Sequence, residues 1–140
     1  MDRRKFLGRT GTAIAGGTAA VLMPEKTSAH PALADSVYNV RDFGAVGNGV
    51  VLDTESIQEA IDTCADNGGG TVYLSGGIFL SGTLYLKSNV TLYLESGAIL
   101  QGSPELTHYP VTIQEFRSYT DNYTDKSLIY AEKAENITIV

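Results

Sequence analysis

Two kinds of apolar spacing divide the chain. Ile57, Ala60, Ile61, Cys64 and Ala65 fall at i, i+3, i+4, i+7 and i+8, one stripe of a helix predicted over residues 54–66. Asp53 or Thr54 suits its N-cap, and Glu55 stands in the first turn, where the helix dipole favours an anion. Asn67-Gly68-Gly69-Gly70 stops it. From Thr71 the spacing changes to alternation, and short runs of β-branched, aromatic and Leu residues end at Gly, Ser or Asn. Strands are predicted at Thr71–Leu74, Ile78–Ser81, Leu84–Leu86, Val90–Leu94 and Ala98–Gln101. Alternation turns Val72, Leu74, Leu84, Leu86, Val90, Leu92 and Leu94 inward and Tyr73, Tyr85, Thr91 and Tyr93 outward.

These strands repeat. TVYLSGGIFLSG at 71–82 lies on TLYLESGAILQG at 91–102 after a shift of 20, with six of twelve positions identical. The shift places Thr71 on Thr91, Tyr73 on Tyr93, Leu74 on Leu94, Gly77 on Gly97, Leu80 on Leu100 and Gly82 on Gly102. A unit this short cannot bury its own apolar face and must stack on its neighbours. One coil of a parallel β-helix fits, with two similar hairpins of a sandwich as the alternative. On the β-helix reading the helix 54–66 is a terminal cap over the first coil, where open strand edges need cover. Strands resume at Ser127–Tyr130 and Asn136–Val140. Asn136-Ile137-Thr138-Ile139 repeats Asn89-Val90-Thr91-Leu92, so Asn89 and Asn136 are expected to stack at matching turns.

The remaining stretches read as follows. Asn48-Gly49 after the apolar run Val40–Val46 signals a turn. Residues 103–126 interrupt the repeat with Pro104, Pro110, His108, Tyr109, Tyr119, Tyr123, Glu115, Asp121 and Asp125, an excursion that binds something or covers the core. His108 has no partner at ligand spacing and reads as a loop histidine; Asp121 and Asp125 read as part of a solvated acidic loop. The outward tyrosines read as packing under a loop, with a sugar-stacking platform as the alternative. Cys64 lies on the buried stripe and reads as a small hydrophobe. Being the only cysteine, it excludes an internal disulfide.

At the N-terminus, Arg3-Arg4-Lys5-Phe6-Leu7 precedes an uncharged Ala- and Gly-rich run from Thr10 to Met23, and Ala32-Leu33-Ala34 has the small residues of a cleavage site. Residues 1–34 are expected to be a signal peptide of twin-arginine type, with cleavage after Ala29 as the alternative. The apolar run is too short to span a bilayer, which takes about 20 residues. A periplasmic or secreted bacterial location follows, with residues 35–140 as the mature part. The formal charge is −6 overall, and without residues 1–34, which hold five basic and two acidic side chains, the balance is −9. Such a surface repels nucleic-acid phosphates and anionic lipids, so neither is an expected partner. It leaves room for an anionic sugar in a local basic cleft. The sequence stops at Val140 in mid-strand, which leads us to expect the N-terminal cap and first coils of a longer protein.

The run Tyr38-Asn39-Val40-Arg41-Asp42-Phe43-Gly44-Ala45-Val46-Gly47-Asn48-Gly49, followed by Asp53-Thr54 and Ile57-Gln58-Glu59-Ala60-Ile61-Asp62, resembles the opening signature of the pectate lyase superfamily. Gly68–Leu74, Gly82–Leu92, Leu94–Leu100, Ser127–Ala131 and Asn136–Ile139 resemble glycoside hydrolase family 28, the polygalacturonases and rhamnogalacturonases. Asn48 stands where Asp is commoner. The resemblance implies an all-β, right-handed parallel β-helix, a single-stranded solenoid with an amphipathic capping helix. It also implies hydrolysis of galacturonan or rhamnogalacturonan linkages with inversion: one carboxylic acid protonates the leaving oxygen, and carboxylates about 6.5–9.5 Å away activate water. Arg and Lys would hold the substrate carboxylates. The implied partner is pectin, an acidic plant cell-wall polysaccharide, acted on by a monomer without metal or cofactor. The family's catalytic segments, of the forms Asn-Thr-Asp, Asp-Asp, Gly-His-Gly and Arg-Ile-Lys, do not occur in this sequence, so no catalytic, cofactor-binding or metal residue is assigned. A polysaccharide lyase on the same fold and a non-catalytic glycan-binding β-helix protein are the competing readings.

Overall fold

The computed structural model describes residues 36–115 and 125–140; the expected signal peptide and Tyr119, Asp121 and Tyr123 lie outside the described residues. Among the described residues, nine short strands and one α-helix, besides 3-10 turns at Val40–Phe43 and Leu106–His108, follow in order: β1 (Val37–Asn39), β2 (Asn48–Leu52), α1 (Thr54–Asp66), β3 (Gly70–Leu74), β4 (Gly77–Ser81), β5 (Leu84–Tyr85), β6 (Val90–Leu94), β7 (Ala98–Gly102), β8 (Ile129–Tyr130) and β9 (Thr138–Ile139). All pairings are parallel. The sheets run β1-β3-β6-β9, β2-β4-β7 and β5-β8. Each circuit therefore adds one strand to each sheet, which is a solenoid. In the first circuit the third strand is missing and α1 stands in its place.

The stand-in is atomic. Gln58 behaves as a strand residue: its Oε1 accepts from the Tyr85 amide at 2.8 Å and its Nε2 donates to the Tyr85 carbonyl at 3.1 Å. Thr54 Oγ1 accepts from the Gly82 amide at 2.8 Å. The β5 edge, which has no strand on that side, thus keeps its hydrogen bonds. On its other face α1 buries Ile57, Ala60, Ile61 and Cys64 completely against Val40, Val72, Leu74, Phe79, Leu84, Val90 and Leu92. Each large apolar residue buried there contributes about 1.5–3 kcal/mol. The expected helix boundaries and capping role hold, and Ala65 lies half-buried at the margin of the stripe.

The strand alternation also holds, apart from Leu94, which is half-buried. Leu86 is buried but lies just outside β5, and β8 is shorter than the predicted Ser127–Tyr130. The Asn pair stacks as expected, Asn136 Nδ2 donating to Asn89 Oδ1 at 3.0 Å, both residues in left-handed backbone.

The repeat needs a correction. Thr71, Tyr73 and Leu74 pair with Thr91, Tyr93 and Leu94, the shift of 20. In the next sheet the shift is 21: Gly77 pairs with Ala98, Phe79 with Leu100 and Ser81 with Gly102. The corner after β6 holds one more residue than the corner after β3, and Gly97 takes it up at φ 88°. Burial enforces the slip. It sets Leu100 beside buried Phe79 and Ile99 beside exposed Ile78, whereas a shift of 20 would turn Ile99 inward.

Two further features were not anticipated. Asn48-Gly49 lies inside a kinked strand, not a free turn: β2 pairs with β4 with an irregularity between Asn48 and Leu52, and Asn48 Oδ1 accepts from the Val50 and Val51 amides. Asp53 holds the N-cap position but its carboxylate caps nothing in α1. That buried group instead accepts from the Val46 and Gly47 amides at 2.7 and 2.9 Å.

Candidate functional site

The outward tyrosines form two columns. Tyr73 and Tyr93 stack on the β3–β6 face, ring centroids 5.9 Å apart and planes 18° apart. Tyr85 meets Tyr130 edge-on at 5.8 Å on the β5–β8 face. Both columns are tied to carboxylates. A hydrogen bond to Glu95 is the main cause that raises the Tyr73 pKa, and Tyr130 Oη donates to Glu132 at 2.7 Å, which raises its own pKa and lowers that of Glu132. The rings lean on one another and the Tyr73 and Tyr130 hydroxyls are engaged, an arrangement that packs the outer sheet face.

A cleft opens between the outer face of α1 and the segment carrying His108 and Pro110, with Gln58, Thr83 and Tyr85 along its floor. Glu55, Glu59, Asp62 and Asp66 line its helical wall, and Lys87 binds Asp62 at 3.0 Å. The sign of that wall repels a polyanion.

His108 closes its loop. Its Nδ1 lies 2.7 Å from Ser103 Oγ and its Nε2 lies 3.5 Å from the exposed Glu105 carboxylate. Its carbonyl accepts from the Thr83 amide at 3.2 Å. A Cβ on Gly82 would sit 2.1 Å from that carbonyl oxygen, so only glycine lets the loop approach the strand. Ser103 is buried, and its hydroxyl also accepts from the Glu105 amide. The row is a local turn and confirms a loop role for the histidine. Asp125 is described and exposed. Cys64 is fully buried, and burial pushes its thiol pKa up, away from the reactive thiolate. Among the described residues no group of three or more His, Cys, Asp or Glu could hold a metal ion. Nor is any described helix long and apolar enough to cross a membrane.

Sequence reasoning passed over the work of Arg41 and Asp53. Arg41 donates to Ser75 Oγ, the Val46 carbonyl and the Gly76 carbonyl at 2.7, 2.7 and 2.9 Å, and its guanidinium lies 5.3 Å from the centre of the Phe79 ring. With Asp53 it locks the corner around Val46–Gly47 against the next coil. Their signal was the quoted signature itself, in which an arginine and an aspartate flank a glycine-rich corner.

Three parallel sheets, one strand per sheet per circuit and a helical cap define a right-handed parallel β-helix opening at its N-terminal end. A family model described as rhamnogalacturonase A/epimerase, pectate lyase-like, matches residues 37–139, and the protein belongs to that family. An exo-poly-alpha-D-galacturonosidase of Dickeya chrysanthemi is 39% identical over 95 residues, which cover 68% of this sequence and 15% of that protein. The family 28 exopolygalacturonase of Yersinia enterocolitica superposes with a TM-score of 0.65 at 39% identity, covering 74% of this protein and 19% of that one. A mannuronan C5-epimerase of Azotobacter vinelandii is 51% identical over a shorter stretch of 61 residues, 38% of this sequence and 6% of the epimerase. The 140 residues thus span less than a fifth of the length of each of these proteins.

Proposed function

We propose that this 140-residue stretch is the cap and opening coils of an exported glycoside hydrolase that cleaves pectic galacturonan with inversion, and that the carboxylates doing the chemistry lie outside it. The observation that carries this reading is the similarity to two exo-acting galacturonan hydrolases across most of the described fold. The local chemistry agrees. The corner clamps, cap and ladders are structural, and the cleft beside α1 has the wrong sign for a polyuronate. The role of residues 36–140 is to seal the end of the solenoid and set the register of the coils that follow. Residues 1–34 would direct the protein through the twin-arginine route, leaving a monomer outside the cytoplasm with no membrane or nucleic-acid partner.

The test uses the protein encoded by the whole gene, incubated with polygalacturonate. Hydrolysis releases new reducing ends without an ultraviolet-absorbing product, and the 140-residue stretch alone releases none. A lyase would give an unsaturated, absorbing product. An epimerase, the reading that the 61-residue match favours, would give neither signal but would change the sugar stereochemistry. Either of the last two results, or activity from the short stretch, refutes the proposal. Export is tested separately: Arg3→Lys with Arg4→Lys should hold the protein in the cytoplasm, and unchanged export refutes the twin-arginine route.

A further inference from the structure

Two Asn-Gly pairs occur in the sequence, Asn48-Gly49 and Asn67-Gly68, and the structure treats them differently. We propose that Asn67 is a site of spontaneous deamidation, that folding protects Asn48, and that the change at Asn67 uncaps α1. The chemistry needs only solvent water. The Gly68 backbone nitrogen attacks Asn67 Cγ, the bond from Cγ to Nδ2 breaks, ammonia leaves with the proton, and a five-membered succinimide forms. Water then opens either of its carbonyls, giving aspartate or isoaspartate. Glycine favours the attack because nothing on its Cα crowds the nucleophile, and asparagine is a thermolabile residue for this reason.

Both asparagines are exposed, so exposure does not choose between them. Hydrogen bonding does. Asn48 Oδ1 is fixed by the Val50 and Val51 amides, both at 2.9 Å, so its amide carbon cannot swing onto the Gly49 nitrogen without breaking both bonds. Gly49 is also packed under Ile78, whose Cγ2 would lie 3.1 Å from a Cβ placed there. Asn67 has no such tether: among the described residues nothing bonds its side chain. Gly68 faces open space. Its nitrogen is held by one bond, to the Ala65 carbonyl at 3.0 Å, in the last turn of a helix. Last turns fray at little free-energy cost.

The consequence lies next door. The Gly69 amide donates to the Cys64 carbonyl, the Gly70 amide donates to the Asn89 carbonyl, and a Cβ on Gly69 would sit 2.4 Å from that Asn89 oxygen. Isoaspartate at 67 lengthens the backbone by one carbon where that approach leaves no slack. It also leaves a negative charge at the C-terminus of α1, the unfavourable end of the helix dipole.

The experiment ages the folded protein and the same protein in denaturant, both in mildly alkaline buffer. Digestion with a Glu-specific protease cuts at Glu55 and Glu59 and separates the two asparagines. In denaturant the two sites should convert at rates within about threefold of each other. In the folded protein Asn67 should convert about tenfold or more faster than Asn48, the factor that about 1.4 kcal/mol of extra local protection gives. Aged protein should lose Tm, and Asn67→Gln protein aged alongside should keep it. The proposal is overturned if Asn48 keeps pace with Asn67 in the folded protein, if neither converts while both do in denaturant, or if the Asn67→Gln protein loses Tm as fast as the parent.

Discussion

The side of the solenoid under α1 and the side that carries β9 are built from the same residue types, yet they are buried differently. Leu92 and Ile139 are register partners in adjacent coils and point the same way. Leu92, with β3 and α1 on one side and β9 on the other, is 0% exposed; Ile139, whose one neighbouring strand among the described residues is β6, is 52% exposed within this 140-residue stretch. Under α1 even the β5 edge has partners, because Gln58 and Thr54 supply the hydrogen bonds of an absent strand. In a stacked fold, burial belongs to the interface between coils and not to the residue. An apolar residue contributes in full only when both of its neighbours are in place.

The largest effect should come from charging the covered side. Ile61→Asp puts an unpaired carboxylate into a fully buried site and should cost about 4 kcal/mol or more, enough to abolish the cooperative melt. In the 140-residue stretch by itself, Ile139→Asp should change stability by no more than about 0.5 kcal/mol. An unaltered Tm in Ile61→Asp would dispose of the capping account. Next in size is truncation: in the same 140-residue stretch, Leu92→Ala should cost about 2–5 kcal/mol in denaturant unfolding, and Ile139→Ala well below that. Gln58→Ala removes the partner of the exposed Tyr85 amide and carbonyl and should cost about 0.5–1.5 kcal/mol, read most directly as faster hydrogen exchange of the Tyr85 amide. Equal exchange in both proteins would show that water replaces the glutamine at no cost. The smallest effect sits on the β8 side. Glu132 has its pKa lowered, first by the Tyr130 hydroxyl and then by the Glu115 amide, so its contribution is present above the ordinary carboxylate pKa and fades as pH falls through the lowered value. The Glu115 amide should therefore exchange faster relative to its intrinsic rate on acidification, and Glu132→Gln should remove most of that pH dependence.

Much of the fold was legible because its signals are local. The α1 stripe needs only the positions of Ile57, Ala60, Ile61 and Cys64, and the Asn89–Asn136 contact follows from two matching tetrapeptides. The strands β1 and β2 were not legible. β1 has only three residues, the inner faces of both carry few apolar residues, and β2 owes its kink to Asn48 accepting from its own strand. The clamps of Arg41 and Asp53 were equally hidden, since each joins groups that come together only when the coils stack. The candidate site was legible mainly as an absence: the catalytic segments of the resembling family do not occur in the sequence.

By itself, the sequence determined the capping helix, the inward and outward faces of β3 and β6, and the shift of 20 that joins them. These rest on side-chain periodicity, which local geometry enforces. Tertiary structure decided the shift of 21 in the neighbouring sheet, the work of Asp53 and the role of Gln58 as a strand surrogate. A repeat read by identity aligns Gly77 with Gly97, but only stacking shows that Phe79 and Leu100 must share the core. Gly97 in left-handed backbone then absorbs the extra residue, because burying the correct face outweighs keeping the glycines in step.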